Sequence, residues 1–406
     1  MKMLIMKPTL TLITALLTTC SLASLCSAQE VKMGWKKHLI TQQGHCNTAV
    51  AIAANGDKAR DVIASFKGRV SLFLAPDWQE IVIHRFLGEG VTQSNAAAIH
   101  SERIDADGDG DMDWVGSLSQ GAPFWLENPG REHLAKGVWT ERLIDPDLTG
   151  VHCIARADID NDGREDLIIN NFVPDRGLGD SMVWYSIPKQ PHAAVRWERH
   201  VFADKDARGG SHYMGAGDID GDGWKEIAVG AKGKPFADGN WFAFWKNPGK
   251  DGVKSPWKKI LLAANQEGAT NILPCDVNGD GKVDWLASRG HGTGLLWFEN
   301  PSWKIHEIDT EIRQPHSLTA FDHDGDGDTD AASCGYESKW VRWYENDGKG
   351  NFTIHTIDDN QESYDLRSVD MDGDGDIDLL NAGRGSGNVV WYENLRTVPA
   401  KAADRP

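Results

Sequence analysis

The chain has 406 residues, 25% of them charged and 40% hydrophobic, with 43 glycines, 17 tryptophans and a formal charge of −18. This is the composition of a folded, turn-rich protein. It excludes a nucleic-acid surface, which needs clustered Lys and Arg.

Lys2 and Lys7 precede an apolar run from Leu10 to Leu25, and Cys26-Ser27-Ala28 forms a small-residue cleavage site before Gln29. Residues 1–28 therefore read as a cleaved signal peptide, so a secreted or periplasmic protein is expected. Thr and Ser interrupt the run, which falls short of a membrane span, and Thr19 makes a poor lipobox before Cys20. Cleavage leaves Cys46, Cys153, Cys275 and Cys334, scattered without a pairing pattern. An exported compartment permits disulfides, yet buried free thiols are the expectation here. No membrane span is expected, and the protein should act as a monomer.

After the leader comes Trp35-Lys36-Lys37-His38-Leu39-Ile40, a strand pattern that returns as Trp139-Thr140-Glu141-Arg142-Leu143-Ile144. A degenerate acidic loop at Ala53 to Asp61 keeps Asn55, Gly56, Asp57 and Asp61. Six acidic loops of the form DxDxDGxxD then begin at Asp105, Asp158, Asp218, Asp276, Asp322 and Asp370, in steps of 46 to 60 residues, two of them varied by Glu226 at the ninth position and Asn278 at the third. Such steps fit a four-stranded blade. Each loop follows a short apolar strand and leads into a second. A third strand carries Trp125, Trp184, Trp245, Trp297, Trp343 or Trp391, and a fourth begins near Trp78, Trp139, Trp197, Trp257, Trp303 or Phe352.

The last repeat stops at Glu393-Asn394 without a fourth strand, whereas Trp35 opens a strand with no repeat of its own. The two ends complement each other. The expectation is an all-β, seven-bladed β-propeller over residues 29–394, closed by the N-terminal strand and leaving no open edge. Residues 395–406 read as a flexible tail. The tryptophans, one per strand in constant register, are expected to pack between blades.

Alternating carboxylates in a tight glycine loop converge on one point, as calcium's six to eight oxygen ligands require. The expected ligands are Asp105, Asp107, Asp109 and Asp113; Asp158, Asp160, Asp162 and Asp166; Asp218, Asp220, Asp222 and Glu226. Asp276, Asn278, Asp280 and Asp284 follow, then Asp322, Asp324, Asp326 and Asp330, and finally Asp370, Asp372, Asp374 and Asp378. About six structural Ca2+ ions are the implied cofactors. An EF-hand is excluded because the flanks are strands and no Glu stands at position twelve. Tandem units of this kind, ending in Trp-Tyr-Glu-Asn, resemble the FG-GAP/VCBS-repeat propellers, which include integrin α heads and many exported bacterial proteins. The resemblance implies the fold and the calcium sites. It leaves function open.

Function must be sought on the face opposite the calcium loops. His152, His212 and His316 each stand six residues before the first Asp of their loop, with Tyr364 in the same position of the last repeat. His45 and His100 lie close to that register, and Tyr213 follows His212. The loops facing them add Lys232, Lys234, Arg289, His291, Tyr336 and Arg384. Several imidazoles at matched positions offer a transition-metal site or an acid–base pair. One reading is a carbohydrate-active enzyme acting by β-elimination, a polysaccharide lyase or sugar dehydratase. Here His212 or His316 serves as base, Tyr213, Tyr336 or Tyr364 as acid, and Arg289 or Arg384 as carboxylate clamp. The alternative is a non-catalytic module that binds a glycan or a protein on the same face. Hydrolysis by paired carboxylates is a poorer fit, because nearly all the clustered Asp belong to the loops.

Overall fold

The computed structural model describes residues 31–32, 34–86, 97–118, 121–171, 178–210, 212–233 and 239–396. The leader, Lys234 and residues 397–406 of the tail lie outside them. The described strands form seven antiparallel sheets, six of four strands and one of five. Blades one to six occupy 46–85, 101–143, 151–203, 215–264, 272–313 and 315–358. Blade seven takes its first three strands from 365–394 and its fourth from Trp35–Thr41. A two-residue strand, Val31–Lys32, adds an outermost rung.

The ring closes as the sequence suggests. Trp35 pairs with Asn394, and His38 pairs with Trp391. First strands of neighbouring blades touch one another, so they line the axis. Second strands such as Asp166–Asn171 and Asp284–Ser288 are buried along their whole length, because both faces meet neighbouring blades. Outer strands such as Lys258–Ala264 are half-buried or exposed throughout. Among the described residues helix is confined to short 3-10 turns at Arg131–Lys136 and Pro191–Ala193, and none is long and apolar enough to cross a membrane.

The core is a set of layers between blades. Seven apolar clusters each join two neighbouring blades. Trp184 and Trp245 sit together in the layer between blades three and four, and Trp35 joins the layer between six and seven. Five of the fourth-strand tryptophans stand one residue before their strand, and Phe352 opens its own. All four described cysteines are free thiols, and Cys46, Cys153 and Cys334 are buried.

The Asn that ends the third strand has a structural task. The amide groups of Asn247, Asn300, Asn346 and Asn394 donate to Ile159, Ile219, Val277 and His323. Each acceptor is the second residue of the preceding blade's acidic loop. The backbone N–H of the same Asn donates to the ninth-position carboxylate of its own loop, as Asn346 does to Asp330 at 2.8 Å. The motif thus ties each loop to the next blade.

Blades four and five approach closely at Gly230, where a Cβ would collide with the backbone N and O of Thr270. Gly230→Ala is expected to cost about 1–3 kcal/mol through this overpacking, read as a lower denaturant midpoint. An unchanged midpoint would show that the two blades can separate freely.

Candidate functional site

Four consecutive blades contribute a histidine to the end of the channel opposite the acidic loops. His152, His212 and His316 stand at the entrances of the first strands of blades three, four and six. His291 comes from the loop between the second and third strands of blade five. The Nε2 atoms of His212 and His291 lie 2.7 Å apart. The His212 ring is 4.8 Å from that of His152, 4.5 Å from His291 and 5.5 Å from His316, centroid to centroid. One ring nitrogen from each of His212, His291 and His316 lies within 4.8 Å of the other two. His212 and His316 are buried, at 1% and 2% exposure, whereas His291 is open to solvent.

Tyr364 stacks on His316 with centroids 3.4 Å apart, and its carbonyl oxygen lies 3.1 Å from His316 Nδ1. A carbonyl accepts only, so Nδ1 carries the hydrogen and the Nε2 lone pair is left for another partner. That Nε2 is buried and has no hydrogen-bond partner. The Arg384 guanidinium lies 4.3 Å from the Tyr364 ring and 5.8 Å from that of Tyr336. Among the described residues no carboxylate pairs with it.

Desolvation, nearly complete at His212 and His316 and partial at His291, holds these imidazoles neutral. Desolvation, reinforced by Lys232, lowers His152 to about 3 and His291 to about 4. His212 and His316 fall well below the usual range for the same first cause, with neighbouring imidazoles adding to it. Burial also lowers His45, and the charge of Arg384 lowers it further. The Tyr213 and Tyr364 phenols are raised by burial, Tyr213 the more strongly.

Not every residue that sequence assigns to this face joins the cluster. Arg289 turns away to make a two-pronged ion pair with Glu307, both bonds 2.8 Å, and its Nη2 also donates to Gln266 at 3.0 Å. Tyr213 reaches across the axis to donate from its hydroxyl to the Tyr364 carbonyl, 3.2 Å away, and packs edge-on against His100. It forms a floor beneath the histidines. Below it lies a cavity of about 420 Å³ in which Arg367 pairs with Glu102 at 3.0 Å and Asp365 at 3.2 Å. Charge in that cavity is matched internally.

On the opposite face, each described acidic loop folds around its first carboxylate. Asp105 accepts from the N–H of Gly108 and Gly110, and Asp322 from those of Gly325 and Gly327. Oxygens of the first, third and ninth positions converge: those of Asp158, Asp160 and Asp166 lie within 4.8 Å of one another, as do those of Asp218, Asp220 and Glu226. Burial pushes the ninth-position acids up, Asp113 and Asp378 to about 8, Asp166, Glu226 and Asp330 to about 7, and Asp284 to about 6. Such a set suits a hard cation that keeps every carboxylate ionised.

A family model described as FG-GAP-like repeat matches residues 218–287 and 322–381. Those repeats fall in blades four to seven of the closed ring. The chain is an FG-GAP-repeat β-propeller. Among solved structures, this FG-GAP propeller resembles BBS1N in complex with ARL6DN, at 9% identity and a TM-score of 0.59, over 92% of this chain and 99% of that one. It also resembles the extracellular domain of a putative hybrid two component system from B. thetaiotaomicron, at 10% identity and a TM-score of 0.53. That likeness covers 89% of this chain and 40% of the other. At such identities the likeness is one of fold. No curated protein matches the chain.

Sequence reasoning missed a second set of repeated residues in this FG-GAP propeller. Directly across from the third-strand tryptophan, the outer strand places His38, Arg142, His200, Lys259, His306 or His355. His38, His306 and His355 stack on that tryptophan and bond to the Glu two residues beyond it, as His306 does to Glu299 at 2.8 Å. The signal was legible as a basic residue two or three places after the fourth-strand aromatic. These histidines belong to blade edges, and the channel-mouth set stands apart from them.

Proposed function

We propose that this propeller is an exported, calcium-stabilised carbohydrate-active enzyme that cleaves acidic saccharides by β-elimination at the channel mouth. The observation that supports this reading is Arg384, a guanidinium without a carboxylate partner among the described residues, set amid neutral imidazoles and two tyrosines. An unpaired guanidinium there favours a carboxylate ligand bound through two parallel bonds.

In the proposed reaction Arg384 anchors the carboxylate of a uronic acid unit. His45, exposed on the same face and neutral, takes the proton from the carbon next to the carboxylate. The electron pair forms a carbon–carbon double bond while the bond to the leaving glycosidic oxygen breaks. Tyr336 returns a proton to that oxygen. Negative charge developing on the carboxylate is met by Arg384. On the far face, six Ca2+ ions bound by the acidic loops would hold the scaffold rigid.

The test is a panel of uronic-acid polysaccharides, followed by the ultraviolet absorbance of the conjugated product. Arg384→Ala is expected to reduce kcat/KM by about 100-fold or more, the usual loss when one charge-stabilising group is removed. If wild-type protein binds a uronate polymer and forms no unsaturated product, the enzyme reading fails and a binding module replaces it.

A further inference from the structure

We infer that His212, His291 and His316 form a binding site for a first-row divalent transition-metal ion, zinc or a close relative, with one coordination position open to the channel mouth. The inference concerns a cation unlike the one suited to the acidic loops. Where it assigns that ion to catalysis, it rests on the lyase reading above.

Three observations carry it. First, the ring nitrogens come from three different blades yet gather within 4.8 Å, and two of them lie 2.7 Å apart. Nitrogens bound at about 2.0–2.1 Å around a tetrahedral ion stand roughly 3.4 Å apart, so the cluster brackets the spacing a metal requires. Second, the Tyr364 carbonyl fixes the His316 tautomer by accepting from Nδ1. Metal-binding histidines are oriented in just this way by a backbone carbonyl on their other nitrogen. Third, the Nε2 so freed is buried, lacks a hydrogen-bond partner and belongs to a side chain only 2% exposed. A buried imidazole nitrogen left without a partner costs free energy that a bound ion would recover.

Donor chemistry selects the class of ion. Three neutral imidazoles suit zinc, cobalt, nickel, copper or iron, whereas calcium and magnesium prefer oxygen. Exposure of His291 leaves one side of the cluster open. Three protein ligands with an open fourth position are the pattern of a catalytic site. His152, 4.8 Å from His212 by ring centroids, stands beside the trio as a neighbour. In the lyase reading, the ion would add its charge to that of Arg384 in stabilising the developing negative charge.

The test titrates Co2+ into the full chain in excess calcium, so that the acidic loops stay filled, and follows visible ligand-field absorption and bound cobalt after dialysis. One equivalent of cobalt with tetrahedral-type bands is expected. His291→Ala, an exposed change, should weaken binding by about 100-fold or more, since even outer-shell changes cost 10- to 100-fold. His316→Ala should abolish the bands, with circular dichroism reporting whether it folds. Absence of bands in wild-type protein, or equal cobalt binding by His291→Ala, overturns the inference. Cobalt bound without turnover on any uronate sinks the lyase reading and leaves the metal site standing. Turnover that persists in protein proven free of transition metal leaves the lyase reading standing and overturns the ion's part in catalysis.

Discussion

Chelating calcium from the purified propeller is expected to lower its melting temperature by more than about 10 °C, with recovery when calcium, but not magnesium, is restored. The magnitude follows from the loops. Carboxylate oxygens of Asp158, Asp160 and Asp166 stand within 4.8 Å of one another, and two like charges at that distance repel by about 3 kcal/mol at an effective dielectric of 20. A site held at 1,000 times its dissociation constant contributes about 4 kcal/mol to stability. Even two or three such sites match a large share of the 5–15 kcal/mol by which domains are stable. Magnesium demands a smaller, stricter shell and should not substitute. Blade one supplies an internal control. Its loop has lost the first carboxylates, yet Asp61 still accepts from the N–H of Ala54, Asn55 and Ala75. Native-state hydrogen exchange in chelator should therefore rise at the six acidic loops more than at 53–61. A melting temperature indifferent to chelator would show that the carboxylates manage without a cation.

The second large effect is expected at Trp35. This residue is 1% exposed and packs among Val341, Trp343, Ile357, Leu366 and Tyr392, so the N-terminal strand contributes to the layer between the last two blades. Trp35→Ala removes a buried aromatic and is expected to cost about 3–5 kcal/mol. The loss would appear as a lower denaturant midpoint at similar slope. Trp35→Phe should cost less than half as much, because the indole N–H it removes is buried without a partner. If both variants melt with the wild type, the closing strand adds nothing to the ring and closure is incidental.

Much of this architecture was legible before any coordinates. The six loops and the third-strand tryptophans repeat in one order, and the unmatched Trp35 strand supplies what the last repeat lacks. Such features are local or periodic, and a sequence displays them directly. The channel mouth is different. His212 and His291 meet from 79 positions apart, and His291 holds no repeated position, so only the ring brings it to the others. Arg289 and Arg384 occupy comparable loops, yet the first is claimed by Glu307 and Gln266 and the second by two aromatic rings. Which neighbour captures a long side chain depends on packing that no spacing rule encodes. The interblade task of Asn346 was hidden for the same reason: its acceptor, Val277, lies in another repeat.

Tyr213 sets a limit on how any long ligand can be handled. Because its hydroxyl bonds to the far wall at Tyr364, the ring has a hole in its topology but no open bore at this level. A polymer therefore cannot thread through the propeller and be processed as it slides. It must approach from one side and lie across the mouth, or offer a chain end to it, and leave by the way it came. Successive events on one chain would then each require a fresh encounter, and the pattern of products released early in a digest would record that history.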